Sequence, residues 1–168
     1  MLSDLITMAD ELGKTPSQLD VRHFENVASA SKYIREFGSW TNAIKVAGLK
    51  PIGKIYYSIK GTKCLSYYEL LFTNMLEAYN IDFKKEVFYK EHMHIDRRFR
   101  FDYVIDMNNS KYFIEIFGMT GNEGYEERIK YKKYLCKENN LPLIEIYPKD
   151  FSSYNLEDIH KMFLLKLT

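Results

Sequence analysis

Apolar residues fall at helical spacing in four short runs before residue 50. Leu2, Leu5, Ile6 and Leu12 mark the first run, and Gly13 ends it. Thr15-Pro16-Ser17-Gln18 reads as the start of a second helix, with Thr15 as cap, Pro16 at the first helical position and Gln18 completing a capping box. Ser29 or Ser31 opens a third helix over Tyr33, Ile34 and Phe37, ended by Gly38. Ser39 caps a fourth through Trp40, Ile44 and Val46, closed by Gly48. Phe24, Val27, Ile34, Phe37, Trp40 and Ile44 are the expected core, because a module this small has little surface to bury and needs its large side chains inside.

The period then changes. Residues 51–63 hold Pro51, Gly53 and Gly61 and lack clear periodicity apart from Ile55-Tyr56-Tyr57, so they read as a connector. Lys50, Lys54, Lys60 and Lys63 lie in this neighbourhood with no acidic residue among them, which suits either a track along a polyanion backbone or a soluble tether. From Ser66 the order is helix, three strands, helix, strand, helix. Tyr68, Leu71, Leu76 and Ile81 frame the first helix, and Val87-Phe88-Tyr89 marks a strand. From Arg98 to Asp106 the chain alternates, with Phe99, Phe101, Tyr103 and Ile105 on one face and Arg98, Arg100, Asp102 and Val104 on the other. Asn108-Asn109 is a hairpin turn leading to a returning strand through Phe117. A glycine-containing loop, Gly118 to Gly124, precedes a helix from Tyr125 to Asn139; a short strand and an amphipathic helix finish the chain.

Composition narrows the classes. The 168 residues are 46% hydrophobic and 28% charged, so the chain is globular, of one domain or a small domain plus a minimal enzyme core. No apolar run approaches the roughly 18 residues that span a bilayer. The N-terminus lacks a signal-peptide pattern. Two cysteines, Cys64 and Cys136, are too few for a disulfide framework or a cysteine-rich zinc site, and the expected location is a reducing cytoplasm. The net charge of +1 is uninformative, because local charge decides polyanion binding.

Two carboxylates carry the chemistry. Asp102 interrupts an aromatic-rich strand, and Glu115 sits inside Tyr-Phe-Ile-Glu-Ile-Phe-Gly, the most apolar strand of the chain. A carboxylate among bulky apolar residues pays a desolvation cost unless it is paired, protonated or bound to a cation. Two that converge from strands joined by a short turn make an oxygen-rich site suited to magnesium or manganese; the alternative is a pair of ordinary ion-pairing carboxylates. His92 and His94 are spaced for zinc, but no cysteine or further histidine lies nearby in sequence to complete a tetrahedral set.

Residues Leu12 to Pro51 resemble the homing endonuclease associated repeat, most diagnostically in Phe37-Gly38-Ser39-Trp40 and Ala47-Gly48-Leu49. That repeat accompanies several kinds of nuclease domain and resembles a helix-turn-helix DNA reader. The resemblance implies that the helix beginning near Ser29 enters the major groove through Ser31, Lys32 and Arg35, with the lysine and arginine suited to phosphates or guanine edges.

The order and spacing from Ser66 to Asp150 resemble the PD-(D/E)XK nuclease superfamily. The implied fold is an α/β (α+β) restriction-endonuclease-like core preceded by a small all-α helix-turn-helix-like module. The implied domains are a DNA-binding module over 1–50, a linker over 51–63 and a nuclease domain over 64–168. By this resemblance Asp102 is the superfamily aspartate and Glu115 its second acidic residue. Glu69 stands in the place of a metal-binding glutamate on the first helix, although Ser66-Tyr67-Tyr68-Glu69 is also a capping box.

The superfamily lysine would lie two residues after Glu115, where Phe117 stands. Lys132, which interrupts the stripe of Tyr125, Ile129 and Cys136, is the expected substitute, with Arg128 as backup. The implied reaction is magnesium- or manganese-dependent hydrolysis of a phosphodiester, with Arg97, Arg98 and Arg100 on neighbouring phosphates. The whole resembles small phage or mobile-element homing endonucleases acting on double-stranded DNA. A reader this small specifies a long site only with help from the catalytic domain or by forming a homodimer. The rivals are a catalytically inactive DNA-binding regulator, a structure-selective junction or repair nuclease, and a tyrosine-rich protein-interaction domain.

Overall fold

The computed structural model describes residues 1–118 and 123–168. The chain is mixed α/β, with six α-helices and two sheets among the described residues. These residues gather into two compact units, each formed from several stretches of chain. The first holds Met1–Ile52, Phe88–Arg100 and 123–132; the second holds Gly53–Val87, 101–118 and Lys133–Thr168.

In the first unit, α1 (Leu2–Leu12), α2 (Ala30–Phe37) and α3 (Trp40–Val46) follow the expected punctuation. Gly13 ends α1 and Gly38 ends α2 at φ 65° and 78°, a left-handed conformation that favours glycine. Ser29 and Ser39 cap α2 and α3 by accepting the amides of Lys32 and Asn42, which satisfies donors the helix itself leaves open. The expected second helix is a correction. Thr15 donates its hydroxyl to the Lys50 carbonyl at 2.7 Å instead of capping, and Ser17 and Asp20 bond each other to open a single 3-10 turn, Asp20–His23.

Of the six residues expected in the core of this unit, Phe24, Val27, Phe37 and Trp40 are only half-buried against it. Ile44 is buried as foreseen, but Ile34 is 37% exposed and the inward residue of α2 is its neighbour Tyr33. Tyr33 packs edge-on against Trp40 and donates its hydroxyl to the Met1 carbonyl at 2.9 Å, so an amphipathic ring fills the core without stranding its oxygen.

In the second unit the expected order of elements is present: α4 (Tyr67–Ala78), β3 (Phe83–Phe88), β4 (Arg100–Met107), β5 (Ser110–Ile116), α5 (Glu123–Glu138), β6 (Leu143–Ile146) and α6 (Leu156–Lys166). Strands β3 and β4 and helix α5 run across the division between the units. The sheet order is β3-β4-β5-β6, with β5 antiparallel to β4 and parallel to β6. Asn108 and Asn109, both at positive φ, form the two-residue turn between β4 and β5, with Met107 opposite Ser110. One sheet face buries Tyr103, Ile105, Ile114, Ile116, Ile144 and Ile146 against α4 and α6.

The stretch read as a connector is more ordered than expected. Tyr56–Tyr57 (β1) pairs antiparallel with Lys63–Cys64 (β2), and both short strands contact α4. Periodicity failed to reveal them because two-residue strands have none.

Candidate functional site

The β4–β5 ladder sets the two central carboxylates. Its register pairs Tyr103 with Ile114, the residues that neighbour Asp102 and Glu115 in sequence. Asp102 Oδ2 accepts the Ile116 amide at 2.7 Å, which ties the aspartate to the strand that bears the glutamate. Glu115 is 3% exposed and lies beside Glu145 in the parallel β5–β6 register.

The expected alternation breaks at Asp102. Tyr103 packs on Phe72 of α4, whereas Phe101 packs on Phe113, two residues from Glu115 and therefore on its side of β5. Phe101 and Tyr103 thus serve opposite faces, a correction to the single aromatic face expected from the sequence.

Glu69 is buried at the start of α4, but its carboxylate is already engaged. Ser66 accepts the Glu69 amide at 3.1 Å, and Glu69 Oε2 accepts the Leu65 amide at 3.0 Å and the Lys85 ammonium at 3.1 Å. Lys85 also donates to the Lys63 carbonyl at 3.0 Å and lies 4.9 Å from the centre of the Tyr103 ring. Tyr103 in turn donates to the Glu69 carbonyl and shares a hydrogen bond with Thr73. Burial pushes the Tyr103 hydroxyl well above its ordinary pKa, the Glu69 charge adds to this, and the bond to Thr73 opposes it.

Sequence reasoning missed Lys85 and Glu145. The signal for Lys85 was its place between Phe83 and Val87 in strand alternation; for Glu145 it was its place between Ile144 and Ile146. Glu145 accepts the Tyr147 hydroxyl at 2.8 Å and pairs with Lys133 at 3.0 Å. Phe117, where the lysine of the resembling pattern would stand, is 3% exposed and packs its ring 5.3 Å from that of Tyr147.

As donors, Asp102 and Glu115 suit a hard divalent cation, which is commonly held by one or two carboxylates with water and substrate oxygens. A third protein carboxylate is not assembled with them: among the described residues, no three His, Cys, Asp or Glu side chains form a metal-holding group.

The other expected site residues lie in the first unit. Ser31, Lys32 and Arg35 are all exposed on α2. Arg97 pairs with Asp10 at 3.9 Å, Arg128 pairs with Asp10 at 3.6 Å, and Arg98 donates to the Glu11 carbonyl. The last turn of α1 contains no basic residue, so these distant arginines supply the positive charge that favours a helix C-terminus. Arg100 lies over the Phe88 ring at 4.3 Å, Arg128 over Phe99 at 4.7 Å, and Lys132 near Tyr89 and Phe99 at 5.7 and 5.9 Å. Such contacts leave part of each cation engaged with aromatic faces inside this unit. The expected loop from Gly118 to Gly124 includes residues 119–122, which lie outside the described residues.

Residues 1–50, which hold α1 to α3, match the family described as homing endonuclease associated repeat. Comparison with curated proteins and with solved structures gave no match. No helix among the described residues is long and apolar enough to cross a membrane. The N-terminal 50 residues are thus similar to the homing endonuclease associated repeat.

Proposed function

We propose that the chain is a magnesium- or manganese-dependent DNA endonuclease with a PD-(D/E)XK-like catalytic core, in which residues 1–50 bind DNA and residues 64–168 cut it. The observation that carries this reading is the Asp102 bond to the Ile116 amide, which ties one strand carboxylate to the residue following the other. The repeat match at the N-terminus supports the choice of DNA as substrate. On α2, the exposed Ser31, Lys32 and Arg35 offer hydroxyl, ammonium and guanidinium donors to phosphates and base edges.

In the proposed reaction, Asp102 and Glu115 hold the cation, which when bound supplies Lewis-acid stabilisation and a more acidic water. The Ile116 amide fixes the Asp102 carboxylate, so its orientation needs no reorganisation on substrate binding. Glu115 works from a nearly dry position, where its charge is poorly screened by solvent. Positive charge for the phosphate is assigned to Lys85, half-buried in the same unit as the two carboxylates. Glu69 serves mainly to hold Lys85.

The test is cleavage of a phage-scale DNA pool with magnesium or manganese, comparing the unaltered chain with Glu115→Ala. Sequenced ends that cluster at one site and vanish in the variant are expected. A second reading, a DNA-binding protein without catalysis, is favoured by the buried Phe117 in place of a lysine. Silence from both proteins, with DNA binding retained, would decide for that reading.

A further inference from the structure

The β1–β2 hairpin presents an apolar tip and fixes it from below. Ile59 is 79% exposed and Tyr57 is 65% exposed. The tip is a tight turn: the Gly61 amide donates to the Ser58 carbonyl and the Ser58 amide to the Thr62 carbonyl, each at 2.9 Å. Gly61 has φ 86°, which suits the left-handed position of a three-residue hairpin loop.

The underside of that turn is bound to α4 by an unusual investment of polar groups. Glu77, only 7% exposed, accepts Ser58 Oγ at 2.7 Å, Thr62 Oγ1 at 2.8 Å and the Lys60 amide at 3.0 Å. Asn74 Oδ1 accepts the amide of Ile59 itself at 3.0 Å. A mobile surface loop needs no such anchoring. These bonds hold the Ile59 backbone while its side chain points to solvent, an arrangement that stability alone does not explain, since an exposed isoleucine gains little from burial.

The surroundings identify the partner by charge. Lys60 and Lys63 lie in this hairpin and Lys54 just before it, and residues 50–63 contain no acidic side chain. Lys63 stands opposite the exposed Tyr57 in the strand pair, and Lys54 lies 5.7 Å from the centre of the Tyr56 ring. An apolar tip flanked by cations matches duplex DNA, in which phosphates take the cations and an aliphatic wedge enters between base steps from the minor groove. A second copy of the chain would meet the same lysines as like charges.

We infer that Ile59, carried on the anchored hairpin turn, is a wedge that partly unstacks a base step of bound duplex DNA while Lys54, Lys60 and Lys63 neutralise the adjoining phosphates. This inference rests on the DNA-binding part of the proposed function and is independent of cleavage.

The experiment uses the full chain without divalent cations, a short mixed-sequence duplex carrying 2-aminopurine, and fluorescence anisotropy alongside 2-aminopurine emission. The unaltered chain is expected to raise the emission on binding. Ile59→Ser should abolish that rise and weaken binding by about tenfold, the scale of one aliphatic side chain returned to water. The joint change Lys60→Ala and Lys63→Ala should retain the rise but flatten the log–log salt dependence by about 2. Because Ile59 is so exposed, its replacement should leave the melting temperature unchanged.

If Ile59→Ser binds and unstacks like the unaltered chain, the wedge is overturned while the DNA reading stands. Failure of the unaltered chain to bind duplex overturns both. Should Ile59→Ser instead turn a DNA-free dimer into a monomer by light scattering, the tip is a self-association surface and the inference falls.

Discussion

The Lys85 ammonium lies 3.1 Å from the Glu69 carboxylate, with the two side chains 12% and 2% exposed, so α4 and β3 are joined by an ion pair whose acid is buried and whose lysine is half-buried. The pair is not isolated. Glu69 also accepts the Leu65 amide, and Lys85 also donates to the Lys63 carbonyl. Additional hydrogen bonds of this kind are what offset the cost of taking two charges out of water.

Removing only one partner should therefore be far worse than removing both. Lys85→Met leaves Glu69 buried without its cation and should cost about 3–5 kcal/mol of unfolding free energy. Combining it with Glu69→Gln should recover most of that loss, because a neutral amide carries no stranded charge. Urea denaturation of both variants, with equal slopes, measures the difference. Equal losses in the single and double variants would show that the lysine acts through packing of its alkyl stem instead.

The local signals of this chain were legible because each belongs to a few neighbouring residues. Ser29, Ser39 and Ser66 cap helices as their positions suggest, and Asn108-Asn109 turns the hairpin that brings Asp102 next to the Glu115 strand. What the sequence withheld depends on distant partners. The choice of Tyr33 over Ile34 as the inward residue of α2 involves the Met1 carbonyl, a partner 32 positions away. The β1–β2 turn depends on Glu77, 19 positions beyond Ser58, so no local window contains its cause. Lys85 gave no local sign of its ion pair, because the acid it meets sits 16 positions earlier, on a helix. The contacts of Arg97 and Arg98 with the end of α1 were hidden in the same way, because that end lies 87 positions earlier.

Acid should loosen the hairpin through Glu77. Burial alone would raise its pKa, but the hydrogen bonds from Ser58, Thr62 and the Lys60 amide, with the Lys60 charge, hold it below the ordinary 4.5. A carboxyl whose folded pKa is depressed adds stability above its unfolded pKa and loses it as pH falls through the lower, folded value. The extra stability should thus be complete above pH 4.5 and disappear below it. Glu77→Gln should be less stable than the unaltered chain near neutrality, with the gap narrowing in acid. Melting temperatures of the two proteins across that range give the comparison, and a gap independent of pH would contradict the assigned role.

Gly48 offers a test of backbone approach in the first unit. Its φ of 72° already disfavours a side chain, and a Cβ there would lie 2.6 Å from the Gly124 carbonyl carbon and 2.7 Å from its oxygen. Both obstacles are main chain, so a rotamer change cannot relieve them. Gly48→Ala should therefore combine left-handed strain with displacement of the first turn of α5, at a cost of about 1–3 kcal/mol. Gly38 supplies the control, since its φ is 78° but a Cβ there meets nothing within 4 Å. Gly38→Ala should show the conformational cost alone, about 1 kcal/mol. A larger loss at Gly48 than at Gly38 in denaturant titrations would separate contact from conformation. Equal losses would mean that α5 yields at Gly124 without resistance, and that the approach of the two glycines does not fix the start of that helix.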